Sequence, residues 1–167
     1  MKIRRLVTAE QPDGDVLVRI DDVIPDTDAA VPATVLWGWD TLPSLPLAPS
    51  DLGPENVDRE LFPLAGGASV NLVVFPPANQ VPEPVELGEA EIVTHADSNM
   101  HRTNSVDFLF VLEGEVVLRH PGGTPDVTLT RGDVFIQNGA MHEWQNRSSE
   151  RCVMACVVLG TRRESAS

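Results

Sequence analysis

Two histidines and an aspartate in the C-terminal half of the chain have the side-chain chemistry of a metal site. His101 precedes Asp107 by six residues, and His142 follows in a second segment, three residues after Gly139. Two imidazoles and one carboxylate can hold a divalent metal ion and leave coordination positions open for a substrate. These residue types make metal-assisted chemistry on a small molecule a candidate function.

The first of the two segments resembles the first motif of the cupin family. His101, Asp107 and Gly114 stand where the family has a histidine, a glutamate and a closing glycine, with the family's spacing. Thr103 stands where the second histidine of that motif would be. A subset of small single-domain cupins carries a similar His-Arg-Thr series, so we interpret Thr103 as a trait of that subset.

The second segment is similar to the second cupin motif. Gly139, His142 and Asn146 keep the family's mutual spacing. Gln137 replaces a proline, and Gly132 lies one residue closer than in the usual pattern. The resemblance is firm over residues 68 to 160 and loose in the N-terminal third.

The resemblance implies an all-β fold, the cupin double-stranded β-helix or jelly-roll barrel, here with an N-terminal β extension. It also implies one divalent metal ion, whose identity among Zn, Fe, Ni and Mn stays open, bound by His101, Asp107 and His142. Because Asp is shorter than Glu, Asp107 is either a direct ligand or a hydrogen-bond partner that orients a histidine ring.

The local pattern independently favours an all-β chain. Short runs rich in β-branched and aromatic residues alternate with Gly and Pro turn signals, as in antiparallel sandwiches and barrels. We predict strands over 3–8, 16–23, 34–39, 70–75, 105–113, 115–120, 127–130, 133–137, 142–146 and 151–161.

We expect a single domain with three parts. Residues 1–67 supply the N-terminal strands and a proline-rich loop, over 40–67, that wraps the barrel. Residues 68–161 form the cupin barrel, and 162–167 a disordered tail. The acidic segment 84–99, in an apparent insertion over 78–100, is a candidate for a short helix.

The period of two along a strand sorts these residues by face, and the cupin resemblance implies that the face of Asp107 is the barrel lumen. Asp107, Leu109 and Val111 share one face of their predicted strand, and His142 shares a face with Trp144. The lumen would then combine a few convergent polar groups with apolar walls, which is typical of a small-molecule pocket. We predict Thr103 and Asp107 as catalytic residues, and Trp144, Gln137, Leu109, Val111 and Met154 as substrate-binding residues.

Several of these residues have an alternative role. Thr103 is an unusual metal ligand, so it would donate a hydrogen bond to the substrate or simply pack. Gln137 could serve strand packing alone. His95 could cap the pocket mouth or be an exposed loop residue. Cys152 and Cys156, four apart on one strand, are too distant to pair, and we expect them in the core.

The charge balance argues against two classes of partner. A formal net charge of -13 disfavours nucleic acid and anionic membrane surfaces, because both would repel the protein. No apolar run is long enough to span a bilayer, and we expect a cytoplasmic protein.

Three functional classes remain open. We expect a metal-dependent enzyme of a non-oxidative lyase, dehydratase, decarboxylase or isomerase type, with an iron-dependent dioxygenase or a non-catalytic small-molecule-binding cupin as the alternatives. The expected partners are a small-molecule substrate and a second copy of the chain. The N-terminal hairpin 3–23, which the two motifs do not need, would add to a neighbouring sheet and form a homodimer.

Overall fold

The computed structural model describes residues 2–11, 13–24, 33–47, 59–80, 93–94 and 99–164. Within these ranges the chain forms β-strands and no helix, so no described helix could cross a membrane. The strands are β1 Ile3–Glu10, β2 Val16–Ile24, β3 Ala33–Trp39, β4 Ala68–Phe75, β5 Val93–Thr94, β6 His101–Arg102, β7 Ser105–Glu113, β8 Glu115–Arg119, β9 Val127–Thr130, β10 Val134–Gln137, β11 Glu143–Gln145 and β12 Cys152–Gly160.

Two antiparallel sheets enclose the core. A five-stranded sheet has the order β10-β7-β12-β4-β3, and a three-stranded sheet has the order β11-β8-β9. Side chains of both sheets meet in one apolar cluster, in which Val111 of β7 and Met154 of β12 pack with Val116 of β8. This is the two-sheet arrangement of a jelly roll, and the predicted all-β double-stranded β-helix is confirmed.

The alternation predicted for the strand after the first motif is confirmed as well. Along β7, Asp107, Leu109 and Val111 are buried, whereas Phe110 is 39% exposed. A strand that lies on a core presents every second side chain to it, so Asp107 shares the core-facing side of the sheet with two apolar residues.

The N-terminal strands divide between two sheets. The β3 strand completes the edge of the five-stranded sheet by pairing with β4. In contrast, β1 and β2 pair only with each other among the described residues. Arg5 of this hairpin donates a 3.0 Å hydrogen bond to the carbonyl of Leu36, and Ile3 packs against the small apolar cluster around Leu72. The hairpin is thus attached to the barrel by side chains.

The segment before the first motif contributes one short pairing. Val93–Thr94 pairs with His101–Arg102, so these two residues of the candidate helix are in a strand. The rest of the candidate helix lies outside the described residues, apart from residue 99, which belongs to no helix. Described parts of the proline-rich loop are irregular. The N–H of Leu42 donates to the carbonyl of Gly66 within the loop, and the N–H of Gly66 donates to the carbonyl of Gly160 in β12.

A glycine closes the first motif for a steric reason. Gly114 has a φ of +73°, a conformation that side chains disfavour. A Cβ atom at this position would lie 2.2 Å from the carbonyl oxygen of Arg151. The tight turn from β7 to β8 therefore requires glycine.

Candidate metal centre and substrate site

The two motif histidines lie side by side. His101 and His142 form an isolated antiparallel bridge in which each backbone N–H donates to the other carbonyl at 2.8 Å. Their ring centroids are 4.5 Å apart. A pair of backbone hydrogen bonds thus joins residues that are 41 positions apart in sequence.

Each imidazole is oriented by a carbonyl of its own segment. The Nδ1 atom of His101 lies 2.9 Å from the carbonyl oxygen of Asn99, and that of His142 lies 2.9 Å from the carbonyl oxygen of Ala140. A carbonyl oxygen only accepts, so each neutral ring carries its proton on Nδ1. The lone pair of each Nε2 then remains for a metal ion, which is the tautomer that backbone-anchored metal ligands adopt.

Burial keeps one of the rings neutral. His142 is 3% exposed, and this burial lowers its pKa to about 4, while the hydrogen bond to Ala140 opposes the change. The aromatic ring of Trp144 packs edge-on against it with centroids 5.6 Å apart. A neutral imidazole at physiological pH is the form that binds metals.

The carboxyl group of Asp107 is buried and only partly satisfied. Burial raises its pKa to about 6, whereas a hydrogen bond from Ser105 and the charge of His101 act in the opposite direction. Its Oδ1 atom has no hydrogen-bond partner among the described residues. An unpaired buried oxygen is costly, so this atom is suited to a ligand that is bound in the functional state.

A chain of hydroxyl groups leads to this carboxyl group. The Thr103 and Ser105 hydroxyl oxygens are 2.7 Å apart, and Ser105 hydrogen-bonds Asp107. Either hydroxyl can be the donor in the bond between Thr103 and Ser105. Sequence reasoning identified Thr103 and Asp107 and missed Ser105, although its position two residues before Asp107, on the same face of β7, was a usable signal.

Gln137 lies directly opposite Asp107 in the pairing of β10 with β7. It is 3% exposed, and its Oε1 accepts a 3.2 Å hydrogen bond from the N–H of Ala140. Its Nε2 has no partner among the described residues. Directly opposed residues of an antiparallel pair project to the same face, so Gln137 and Asp107, each with one unpartnered polar atom, lie on the same face of the sheet.

The predicted apolar residues form a wall next to these polar groups. Leu109, Val111 and Met154 are buried in the main core cluster, and Trp144 packs against it. Their contact with a substrate stays a prediction. Cys152 and Cys156 lie in the same cluster as free thiols, as expected, and burial raises the pKa of each to about 12.

The three predicted metal ligands do not form a ready-made cluster. In the described ranges, no three His, Cys, Asp or Glu side chains are grouped so that they could hold a metal ion. His101 and His142 are together, and Asp107 interacts with His101 through charge. The complete three-ligand set stays a prediction. His95 lies outside the described residues.

A pocket of about 340 Å³ opens beside this constellation. Thr103 and Ser105 line it, together with Phe62, Leu64 and Arg163, but its lining includes neither histidine. We place the candidate metal centre at the histidines because the free ring nitrogens are there, and the pocket adjoins it only through the hydroxyl chain.

One residue near the C-terminus, Arg163, contacts both motifs. It lies in the segment predicted as a disordered tail, of which 162–164 are described and 165–167 lie outside the described residues. Its guanidinium group bonds Thr103, Asn104 and Gly139. No sequence signal indicates these contacts, because the partners are 24 to 60 positions away.

Comparison with known proteins identifies the domain. A family model described as a cupin domain matches residues 88–158, which include both histidines and Asp107. A phomopsin biosynthesis cluster protein C' of Diaporthe leptostromiformis is 40% identical over 73 residues, which are 44% of this chain and 38% of that protein. A cupin-domain-containing oxidoreductase of Neurospora crassa is 34% identical over 53% of this chain and 44% of that protein.

A longer match extends over most of the chain. Oryzines biosynthesis cluster protein J of Aspergillus oryzae is 28% identical over 94% of this chain and 82% of that protein. The matches to the phomopsin protein and the oxidoreductase cover less than half of those relatives. Residues 88–158, which include the paired motif histidines, are therefore a cupin domain.

Proposed function

We propose that this protein is a metal-dependent cupin that acts on a small organic molecule in a non-oxidative lyase, dehydratase, decarboxylase or isomerase step. The observation that carries the proposal is the histidine pair. Both rings are held by backbone carbonyls through Nδ1, which leaves the two Nε2 lone pairs for a metal ion.

The donor set fits a divalent ion in its chemistry. His101 and His142 would supply nitrogen ligands, and the unpartnered Oδ1 of Asp107 is an oxygen donor that lacks a hydrogen bond in the described part of the chain. Asp107 would serve either as the third ligand or as a charged group beside His101 that supports the site without binding the metal, because Nδ1 of His101 already pairs with the carbonyl of Asn99. A bound divalent ion would polarise a substrate carbonyl or hydroxyl group.

The polar groups near the histidines favour a substrate that carries oxygen. The free Nε2 of Gln137 can donate to a carbonyl or carboxylate oxygen, and the Thr103 hydroxyl is a second candidate contact. Trp144 supplies an aromatic wall against His142. A small molecule with both an oxygen substituent and an apolar part would match this mixture.

The relatives support small-molecule chemistry and leave a second candidate. Two of them are named as biosynthesis cluster proteins. A third is named an oxidoreductase, which favours an iron-dependent dioxygenase as the alternative. Two histidines and one carboxylate are the ligand set of non-haem iron oxygenases. A non-catalytic binding cupin is the third possibility.

Metal analysis of protein purified without an affinity tag separates these functions. Bound zinc, nickel or manganese, without oxygen uptake, supports the non-oxidative enzyme. Iron-dependent oxygen consumption, measured after anaerobic loading, selects the dioxygenase. Absence of stoichiometric uptake of all four metals at neutral pH contradicts both and leaves the binding module.

Single substitutions then locate the metal. His101→Ala and His142→Ala should each abolish uptake, whereas His120→Ala, the control, should bind as wild type does. Asp107→Asn distinguishes its two roles, because near-complete loss of metal binding indicates a ligand and a loss of about 10- to 100-fold indicates a supporting role. Wild-type affinity in His142→Ala would show that the site is elsewhere.

A further inference from the structure

The two histidine-bearing segments are joined by a third part of the chain. After β12, residues 161–164 continue without regular structure and reach the turns beside both motifs. Arg163 lies at this place. Its Nη2 donates to the carbonyl of Gly139 at 2.7 Å and to that of Thr103 at 3.3 Å, and its Nε donates to Oδ1 of Asn104 at 2.9 Å.

These contacts are close to the histidines in sequence. Thr103 follows His101 by two residues, and Gly139 precedes His142 by three. Ala140, directly after Gly139, provides the carbonyl that accepts the Nδ1 proton of His142. A change in the position of Gly139 would therefore move the acceptor that orients the His142 ring.

The turn at Gly139 closes directly on the guanidinium group. Gly139 has a φ of +62°, and a Cβ atom there would lie 2.8 Å from Nη2 of Arg163. The same Cβ would lie 3.2 Å from the carbonyl oxygen of Thr103. The absence of a side chain at Gly139 thus leaves room for the guanidinium group of Arg163 where the two motifs approach each other.

From this geometry we infer that Arg163 is a positioning residue for the candidate metal centre. The planar guanidinium group donates to several acceptors in a fixed arrangement, which fixes the turn before His142 relative to the segment after His101. Arg163 thereby holds the carbonyl of Ala140 where it selects the Nδ1–H tautomer of His142. A lysine would keep the charge but not the fixed fork of donors.

The test compares Arg163→Gln and Arg163→Lys with wild type, and Arg162→Gln is the matched control on the neighbouring arginine. Nitrogen-15 spectra of the imidazole rings report the tautomer of His142 in metal-free protein at pH 7.5. We expect a single Nδ1–H tautomer in wild type and Arg162→Gln, and a mixture of tautomers in Arg163→Gln. Arg163→Lys should lie between them.

Titration with zinc provides the second measurement, and it rests on the proposed function. We expect about tenfold weaker zinc binding in Arg163→Gln, the lower end of the range for residues that orient ligands. If wild type binds no zinc, the proposed function fails, while the tautomer still decides the role of Arg163. If Arg163→Gln does not fold, Arg163→Lys decides it. An unchanged His142 tautomer in the folded Arg163 variants overturns the inference.

Discussion

Replacement of Asp107 by asparagine should stabilise the metal-free protein. Asp107 is 5% exposed, one of its carboxyl oxygens has no partner in the described residues, and its pKa is raised to about 6, mainly by burial. At neutral pH the folded protein therefore contains a buried charge that the unfolded chain exposes to water. Asparagine has nearly the same shape and no charge.

The magnitude follows from the two pKa values. The difference between the ordinary value of 3.8 and about 6 corresponds to roughly 3 kcal/mol of destabilisation in wild type above pH 6. The amide oxygen of the substituted asparagine would accept a weaker hydrogen bond from Ser105, which costs about 1 kcal/mol. We expect the free energy of unfolding to rise by about 1 to 3 kcal/mol at pH 7.5.

The pH dependence of stability provides a second test of the sign of the Asp107→Asn effect. As the pH falls from about 6 to 3.8, the folded wild type binds a proton that the unfolded chain does not yet bind, so its stability rises. The advantage of Asp107→Asn should therefore shrink across this window. His142 titrates in both wild type and Asp107→Asn, so the difference in unfolding free energy between the two proteins reports the ionisation of Asp107.

Urea unfolding in the presence of a chelator, at several pH values, measures this difference. Asp126→Asn is the control, because Asp126 is exposed and the hydrogen bond from Arg147 lowers its pKa. That substitution should not stabilise the protein at pH 7.5. An Asp107→Asn protein that is less stable than wild type at pH 7.5, or an advantage that does not change with pH, would refute the reasoning.

Three further predictions concern other parts of the molecule. Because burial lowers its pKa to about 4, His142 should titrate near pH 4 in proton NMR spectra of metal-free protein. It should also contribute to a loss of stability as the pH falls from 6.5 to 4. A titration midpoint near 6.5 would contradict its burial. Gly139→Ala should destabilise the protein more than Gly122→Ala in thermal unfolding. Both glycines have a positive φ, but of these two only Gly139 has other atoms within 4 Å of an added Cβ. Equal losses of stability in the two variants would contradict the close approach of Arg163 to Gly139. We also propose that the hairpin 3–23 forms a homodimer contact. Light scattering should then give a dimer mass for wild type and a monomer mass after deletion of residues 1–23. A monomer mass for wild type at tens of micromolar would contradict this proposal.

Much of the fold could be predicted because its causes are local. The alternation of Asp107, Leu109 and Val111 with Phe108 and Phe110 follows from the two-residue period of a strand, and the core lies on the side that the pattern indicates. Ten predicted strands correspond to ten of those described, with bounds that differ by two residues or fewer. The short pairing of β5 with β6 was missed, because two-residue strands leave no periodic pattern.

The residue types of the candidate site were also readable from the sequence. His101, Asp107 and His142 stand at motif positions, and their chemistry alone suggests a metal ion. The sequence predicts that Gln137 binds the substrate, with strand packing as the alternative. Its position opposite Asp107 on the neighbouring strand supplies a reason for a polar role.

Only the tertiary structure decided how these groups are held. The pairing of His101 with His142 depends on a backbone register between distant segments, and the tautomers depend on which carbonyls lie beside the rings. The charge state of Asp107 depends on burial by residues from several strands, since desolvation is a property of the packed core. The role of Arg163 arises from contacts between the end of the chain and both motifs, and such contacts have no local signature because chain folding alone brings them together.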